Sequence, residues 1–214
     1  MSISGHVLPG AAAHESGAGD EPLEFSTADG SIKILGFWLF LVSDVLLFAT
    51  LFATYVVVYT RIGNGPSAAH LFGGDIKGFL AETFILLTSS FTCGLATWEM
   101  RHGSTSRLKL WIGVTMLLGL AFIGLEISEF RDFVLHGATM QTSAFLSGFF
   151  TLVGTHGAHV SIGIIWMGLT LFQIARYGLT TITARKFFVV SLYWHFLDVV
   201  WVFIFTVVYL TGVM

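Results

Sequence analysis

Charged residues are scarce in this sequence. Asp, Glu, Lys and Arg make up 11% of the 214 residues, whereas about 25% is usual for a soluble domain. The single cysteine, Cys93, excludes an intramolecular disulfide and disfavours a cysteine metal cluster. The net charge of −3 provides no basic surface for nucleic acid. The shortage of charge argues against a soluble domain.

Apolar residues dominate what is present. Hydrophobic residues make up 55% of the chain, and 21 of them are phenylalanine. The charges cluster between long apolar runs, which favours membrane-spanning helices over barrel strands that alternate at every second residue. Each run can cross a hydrocarbon core of about 30 Å at a rise of ~1.5 Å per residue. We predict an all-α polytopic membrane protein with five transmembrane helices in one bundle, at approximately 32–59, 79–98, 108–130, 144–175 and 187–213.

The N-terminal residues 1–30 form a polar tail rich in Gly, Ala, Ser and acidic residues, which we predict to be disordered. The tail lacks the basic region of a signal peptide. The five-helix domain is predicted to occupy residues 31–214. Lys and Arg are more frequent in the loops on one side of the bundle, which predicts a cytoplasmic N-terminus and a C-terminus on the outer side of the membrane. The basic residues on that side are Lys33, Arg101, Arg107, Lys109, Arg176, Arg185 and Lys186.

Several ionisable side chains fall inside the apolar runs. Such groups are costly in hydrocarbon unless they face protein or water. Counting along each helix predicts five of them near mid-depth, where they could meet: Asp44, His156, His159, His195 and Asp198. Glu126 and Glu129 lie separately, near the outer end of the third helix. We expect the helix face that carries His195 and Asp198 to point into the bundle.

Three interpretations of the mid-depth groups are open from the residues alone. The favoured one is hydrogen bonding between helices, at about 0.6–2 kcal/mol for each bond. The second is a path for protons or ions, for which Asp44 and Asp198 are candidates. The third is a metal or haem site of a free-standing electron carrier, built from His156, His159 and His195. The paired Glu-x-x-His motifs of a di-iron bundle are absent from the sequence.

Small residues line part of the fourth helix. Gly154 and Ala158 are four residues apart, as are Gly157 and Ser161. This spacing is typical of helices that approach each other closely in membranes. We therefore predict close helix packing at these four positions.

Four segments on four helices resemble motifs of subunit III of haem-copper terminal oxidases. The last-helix motif is Trp-His-Phe-Leu-Asp-Val-Val-Trp at 194–201, and the histidine motif is Gly-Thr-His-Gly-Ala-His-Val at 154–160, followed by Gly163. The other two are Ser-Glu-Phe at 128–130 and Ser-Asp-Val-Leu-Leu-Phe at 43–48. The resemblance covers the chain from about Ile32 to its C-terminus.

The five-helix form is most similar to polypeptide III of bacterial cytochrome o ubiquinol oxidases. The similarity is strongest at 36–38, 119–129, 173–176 and 207–210. Some bacterial cytochrome c oxidases also have a five-helix subunit III, so both electron donors remain open. Many family members have two further N-terminal helices, and this chain begins at the third helix of that longer form.

The resemblance implies an accessory subunit of the bacterial inner membrane without redox centres, catalytic residues or a metal site. Haems and copper are expected in the partner subunit I, and subunits II and IV in the same complex. The implied reaction oxidises ubiquinol, reduces oxygen to water and pumps protons. Family members also hold phospholipid in a cleft between two helix groups and support proton uptake. Asp44 matches a buried glutamate that reacts with carbodiimide in the family, and its side chain is one methylene shorter.

Overall fold

The computed structural model describes residues 28–63 and 76–211, including side chains for 32–63 and 78–211. These ranges contain helices and no strand. Each of the five helices is long and apolar enough to cross a membrane, which confirms the predicted all-α architecture with five spanning helices. The helices are α1 (Ala28–Val58), α2 (Ile76–Arg101), α3 (Thr105–Leu135), α4 (Ala144–Tyr177) and α5 (Thr181–Ile204), the last continuing as a π-helix (Phe205–Leu210).

The start of α5 differs from the prediction. The helix begins at Thr181, six residues before the predicted 187, because Thr180 and Thr183 form a capping box. The Thr183 N–H donates to the Thr180 hydroxyl at 3.2 Å, and the Thr180 N–H donates to the Thr183 hydroxyl at 2.8 Å. These bonds satisfy backbone donors that a helix start leaves open. Residues 1–27 of the polar tail predicted at 1–30 lie outside the described residues. Helix α1 begins at Ala28.

Short turns place consecutive helices side by side. Gly103 lies in the α2–α3 turn with a φ of 73°, and Gly178 follows α4 with a φ of 75°. Glycine adopts this left-handed region without the steric cost that other residues meet. Both turns lie at one end of the bundle, together with the start of α1. We call this the basic end, because it holds the seven Lys and Arg residues named above.

Helices α4 and α5 each pack against three of the other four helices. Helix α5 packs against α4, α2 and α1, while α2 packs against α3, and α3 against α4. Helix α1 packs against α4 and α5. The tryptophans of α5 fill the centre of this arrangement, since Trp194 and Trp201 are among the largest fully buried side chains in the described residues.

The Trp194 ring sits in a socket formed by two glycines. Its indole N–H donates to the Ser89 hydroxyl of α2 at 3.1 Å. A Cβ atom at Gly119 of α3 would come within 2.7 Å of the ring, and one at Gly163 of α4 within 3.2 Å. Small residues in membrane helices permit this kind of close packing, which replaces the hydrophobic driving force that lipid does not supply.

Trp201 makes the second junction of α5, two turns further along. Its indole N–H donates to the Thr83 hydroxyl of α2 at 3.1 Å. The ring lies 5.2 Å from the His156 ring of α4 and meets Phe122 of α3 edge-on at 4.7 Å. Three helices therefore converge on each tryptophan of α5.

We predict that Gly119→Ala destabilises the fold by about 1–3 kcal/mol, because the added methyl group overlaps the Trp194 ring. Gly124→Ala, on the same helix, is the matched control, since a Cβ atom there meets nothing within 4 Å. Thermal unfolding midpoints of the two variants in mild detergent test this difference. Equal midpoints for the two variants would contradict the close packing of the Trp194 ring against Gly119.

Candidate functional site: the intramembrane polar groups

The first pair of mid-depth groups lies between α1 and α4. His159 Nε2 is 4.0 Å from Asp44 Oδ2, which is beyond hydrogen-bond distance. The other ring nitrogen, Nδ1, donates to the Thr155 carbonyl of its own helix at 2.7 Å. Asp44 is 7% exposed. This arrangement is an electrostatic contact between two helices, with one histidine nitrogen already satisfied.

His156 is fully buried and connects α4 with α5. Its Nε2 donates to the Leu197 carbonyl at 3.2 Å, because a carbonyl oxygen can only accept. The ring also lies against Phe122, Trp201 and Phe48. His156 thus links α4 to α5 by a hydrogen bond from within an aromatic cluster.

The third polar group joins α2 and α5. The Ser90 hydroxyl is 2.7 Å from His195 Nδ1, and the Asp198 carboxyl group lies close to Ser90. Both ionisable residues of this trio are half-buried. Their spacing of three residues places them on one side of α5.

The five mid-depth groups, which could have met at one point, lie in three separate places. Asp44 and His159 lie on the α1 side of the bundle, and His195 and Asp198 lie on the α2 side, while His156 occupies the interior. Within residues 28–63 and 76–211, no group of three or more His, Cys, Asp and Glu side chains could hold a metal ion. The helix faces, which depth counting alone does not supply, keep the groups apart.

A separate set of polar side chains lies toward the end of the bundle opposite the basic end. Glu126 is 4% exposed, and both of its carboxyl oxygens would lie 2.6 Å from a Cβ atom at Gly157. Glu82 of α2 interacts electrostatically with Glu126, and Tyr209 does so with Glu82, Glu126 and Glu129. The sequence interpretation did not include Glu82 or Tyr209, although a carboxyl group within an apolar run is itself a signal.

The four small residues of α4 have different surroundings. Gly157 is buried against Glu126, and a Cβ atom at Gly154 would lie 3.6 Å from Phe130. Ala158 is exposed on this chain, and the Ser161 hydroxyl donates to the Gly157 carbonyl at 2.8 Å. Close packing at all four positions stays a prediction.

Two grooves lie beside α1. The groove at the basic end has a volume of about 410 Å³, and its lining includes Lys33, Phe37, Trp166, Arg185 and Lys186. The groove near the opposite end has a volume of about 290 Å³ and lies between Leu51–Val58 of α1 and Ala144–Thr151 of α4. A cleft that divides the bundle into two helix groups stays a prediction.

Comparison with known protein families shows which family this chain belongs to. The model of the family described as cytochrome c oxidase subunit III matches residues 25–213. The chain belongs to this family. The match confirms the resemblance read from the four motifs, and it covers all five spanning helices. The polar groups described above are therefore those of a subunit III.

Relatives of this subunit III carry two kinds of name. The chain is 50% identical over 198 residues to quinol oxidase subunit 3 of Bacillus subtilis, covering 92% of this chain and 96% of the relative. It is 50% identical over 191 residues to cytochrome c oxidase subunit 3 of Bacillus sp. PS3, covering 89% and 91%. It is 47% identical over 185 residues to cytochrome bo(3) ubiquinol oxidase subunit 3 of Pseudomonas putida, covering 86% and 88%.

We predict that Gly157→Ala lowers the stability of this subunit III by about 1–3 kcal/mol, because the methyl group would displace the Glu126 carboxyl group. Gly154→Ala, on the same helix, should have a much smaller effect, since its Cβ atom makes only an ordinary contact with Phe130. The two midpoints of thermal unfolding in detergent provide the comparison. A larger loss for Gly154→Ala would refute the close contact at 157.

Proposed function

We propose that this chain is the accessory subunit III of a haem-copper ubiquinol oxidase in a bacterial inner membrane. The complex oxidises ubiquinol, reduces oxygen to water and pumps protons. Haems and copper belong to subunit I, with which this chain associates, and subunits II and IV complete the complex. This chain contributes stability, lipid retention and support of proton uptake, and it is not itself catalytic.

The observation that carries the proposal is the 50% identity to a quinol oxidase subunit 3, which extends over 96% of that relative. The geometry of the histidines agrees with a structural role. His156, His159 and His195 each hydrogen-bond within the chain, to the Leu197 carbonyl, the Thr155 carbonyl and the Ser90 hydroxyl. Bonds of this kind connect helices or hold a ring orientation.

A second candidate is subunit III of a cytochrome c oxidase. The equal identity to the Bacillus sp. PS3 protein supports it. The two candidates share the fold and the partner subunit and differ in the electron donor. The donor is therefore a property to be measured on the assembled complex.

The proposed orientation places the basic end in the cytoplasm. The turns between α2 and α3 and between α4 and α5, with their flanking residues, carry Arg101, Arg107, Lys109, Arg176 and Arg185 among their cations. Lys and Arg accumulate in cytoplasmic loops of membrane proteins. The N-terminus is then cytoplasmic and the C-terminus periplasmic.

The complex can be isolated through a tag on this chain and identified by mass spectrometry. We expect a large subunit I and a subunit II, with oxygen consumption supported by ubiquinol and not by reduced cytochrome c. Activity with reduced cytochrome c alone would select the second candidate. If the chain purifies without an oxidase subunit, the proposal fails in both forms.

Lipid retention has a specific location in this proposal, the groove at the basic end. Phe37, Phe40 and Trp166 provide an apolar surface for an acyl chain, and Lys33, Arg185 and Lys186 surround the groove with positive charge. Anionic headgroups are attracted to such clusters at the membrane surface by about 1 kcal/mol for each Lys or Arg. We therefore propose that an anionic phospholipid binds in this groove.

We predict that Lys186→Gln weakens retention of anionic phospholipid by about fivefold, because one favourable charge of about 1 kcal/mol is lost. Lys109→Gln is the matched control, since it removes the same charge from the basic end away from the groove. Quantitative mass spectrometry of the lipids retained by the purified complex measures the effect. Equal lipid content in the two variants would refute the location.

A further inference from the structure

We propose that Asp44 and His159 bind one proton between them, and that this proton holds α1 against α4. We call the contact between Asp44 Oδ2 and His159 Nε2, which are 4.0 Å apart, the α1–α4 clasp. This role goes beyond the proposed function, since it concerns how the chain holds its own first helix. Only its consequence for lipid rests on the proposed lipid groove.

The α1–α4 clasp lies at the level of the hydrocarbon core. Asp44 is 12 residues after Ile32 and 14 residues before Val58, the limits of the first span. At ~1.5 Å per residue these separations are about 18 and 21 Å. Asp44 is therefore near the middle of a core about 30 Å thick, where an ionised carboxylate is costly without a partner.

Asp44 is on the side of α1 that faces the bundle. The buried side chains of α1 between residues 32 and 58 lie on this side, and Asp44 is the charged one among them. They are Ile34, Leu41, Asp44, Phe48 and Tyr55. The carboxyl group thus contributes directly to the contact of α1 with α4.

His159 has one ring hydrogen fixed by its own helix. Nδ1 is 2.7 Å from the Thr155 carbonyl oxygen, which can only accept, so Nδ1 carries a hydrogen. A neutral imidazole has a single ring hydrogen, and Nε2 is then an acceptor. An ionised Asp44 also offers only acceptors. Without one further proton, two acceptor atoms would face each other across the α1–α4 clasp.

No other described side chain takes the place of that proton. Asp44 Oδ2 is buried and makes no hydrogen bond within the described part of the chain. No Lys or Arg side chain in this part forms an ion pair with Asp44. The clasp must therefore contain its own proton if the two side chains are to attract each other.

Two further titratable groups face the α1–α4 clasp, and both have their hydrogens committed elsewhere. On α4, His156 Nε2 donates to the Leu197 carbonyl at 3.2 Å. On α5, the Tyr193 hydroxyl donates to the His159 carbonyl at 3.3 Å. Neither of these hydrogens is directed at Asp44.

One added proton makes the pair neutral overall. It resides either on Asp44, as a carboxylic acid beside a neutral imidazole, or on His159, as an imidazolium beside a carboxylate. Both forms place a hydrogen between Oδ2 and Nε2. A pair without net charge is tolerated in hydrocarbon far better than a lone carboxylate.

The α1–α4 clasp lies between two grooves that share α1 as a wall. Helix α1 lines the groove at the basic end with residues in the range 33–40 and the opposite groove with residues in the range 51–58. Asp44 lies between these segments. On α4, His159 likewise lies between Trp166 of the first groove and residues 144–151 of the second. The clasp thus sets the separation of both pairs of walls.

Loss of the proton to water converts the α1–α4 clasp into a repulsive contact. Asp44 is then a carboxylate that faces the Nε2 lone pair of a neutral His159, and the pair carries a net negative charge. Stabilisation by the proton is present in mildly acidic medium and is lost as the pH rises. We expect α1 to be held closely against α4 below the transition and to separate from it above.

Distances between spin labels in the purified complex test the α1–α4 clasp. Nitroxide labels are attached to cysteines at Leu46 of α1 and Ile162 of α4, which are 63% and 55% exposed, and the buried Cys93 is replaced in every sample by Cys93→Ser. Pulsed electron paramagnetic resonance gives the distance distribution in mildly acidic and in alkaline buffer. We expect the distribution of the otherwise native chain to become longer and broader in alkaline buffer. That of Asp44→Asn should not change with pH, because the amide cannot ionise and its N–H can donate to Nε2.

Asp198→Asn is the matched control, because it removes another intramembrane carboxyl group, on the α2 side of the bundle. It should keep the pH response of the otherwise native chain. A native distribution that does not respond to pH would overturn the clasp. A response that persists in Asp44→Asn would overturn it as well, since another group would then carry the titrating proton.

Infrared difference spectra between the two buffers provide a readout that a purely steric role of Asp44 would not affect. We expect the native complex to lose the signal of a protonated carboxyl group or of an imidazolium in alkaline buffer, and Asp44→Asn to lack this change. Identical difference spectra of the two complexes would overturn the shared proton.

Lipid content separates the α1–α4 clasp from the proposed function. If the distance responds to pH through Asp44 and the amount of retained phospholipid does not, the clasp stands and only its effect on the grooves falls. If the complex assembles and consumes oxygen with ubiquinol but the distance does not respond, the clasp is overturned and the proposed function stands. If the chain purifies without an oxidase subunit, the proposed function falls, and the same labels on the purified chain decide the clasp.

Discussion

The two indole N–H groups of α5 are the constraint on which the bundle depends. A buried N–H in hydrocarbon needs an acceptor, and each tryptophan finds one on α2, Ser89 for Trp194 and Thr83 for Trp201. The Trp194 ring has room beside Ser89 because α3 and α4 carry glycine at the points of contact, Gly119 and Gly163. The two hydrogen bonds set the axial position of α5 relative to α2, and α3 and α4 pack against the same tryptophan rings. This arrangement fits a family in which packing and hydrogen bonds, rather than the hydrophobic effect, hold helices together in lipid.

The histidines follow from the same arrangement. In the packed bundle, His156 lies beside Trp201 and hydrogen-bonds the Leu197 carbonyl. His195 faces α2 and hydrogen-bonds the Ser90 hydroxyl. His159 is left on the α1 side, near Asp44. Three histidines that spacing alone makes candidates for one site are therefore separated by the rotation of their helices. Their separate partners agree with structural roles.

The sequence predicted the number, type and approximate limits of the helices, because long apolar runs interrupted by charge have few other structural solutions. It missed the first turn of α5, where Thr180 and Thr183 form a cap ahead of the apolar run, and the π-helix after Ile204. Counting residues along each helix also predicted how deep a side chain lies in the membrane, but not which helix it faces. Glu126 was assigned to the outer end of α3, yet its contact with Gly157 on α4 depends on which faces of two helices meet. Such contacts arise from side-chain packing between segments that are distant in sequence.

The polar groups of this subunit III differ in how deeply the bundle encloses them. His156 and the two tryptophans have their donors bonded inside the bundle, and Asp44 is nearly enclosed. The Ser90, His195 and Asp198 trio is closed on the α2 side and open toward the membrane. A chain that functioned alone in lipid would gain stability from apolar residues at those positions. Partly exposed polar groups at mid-membrane depth agree with an accessory subunit of a multisubunit oxidase.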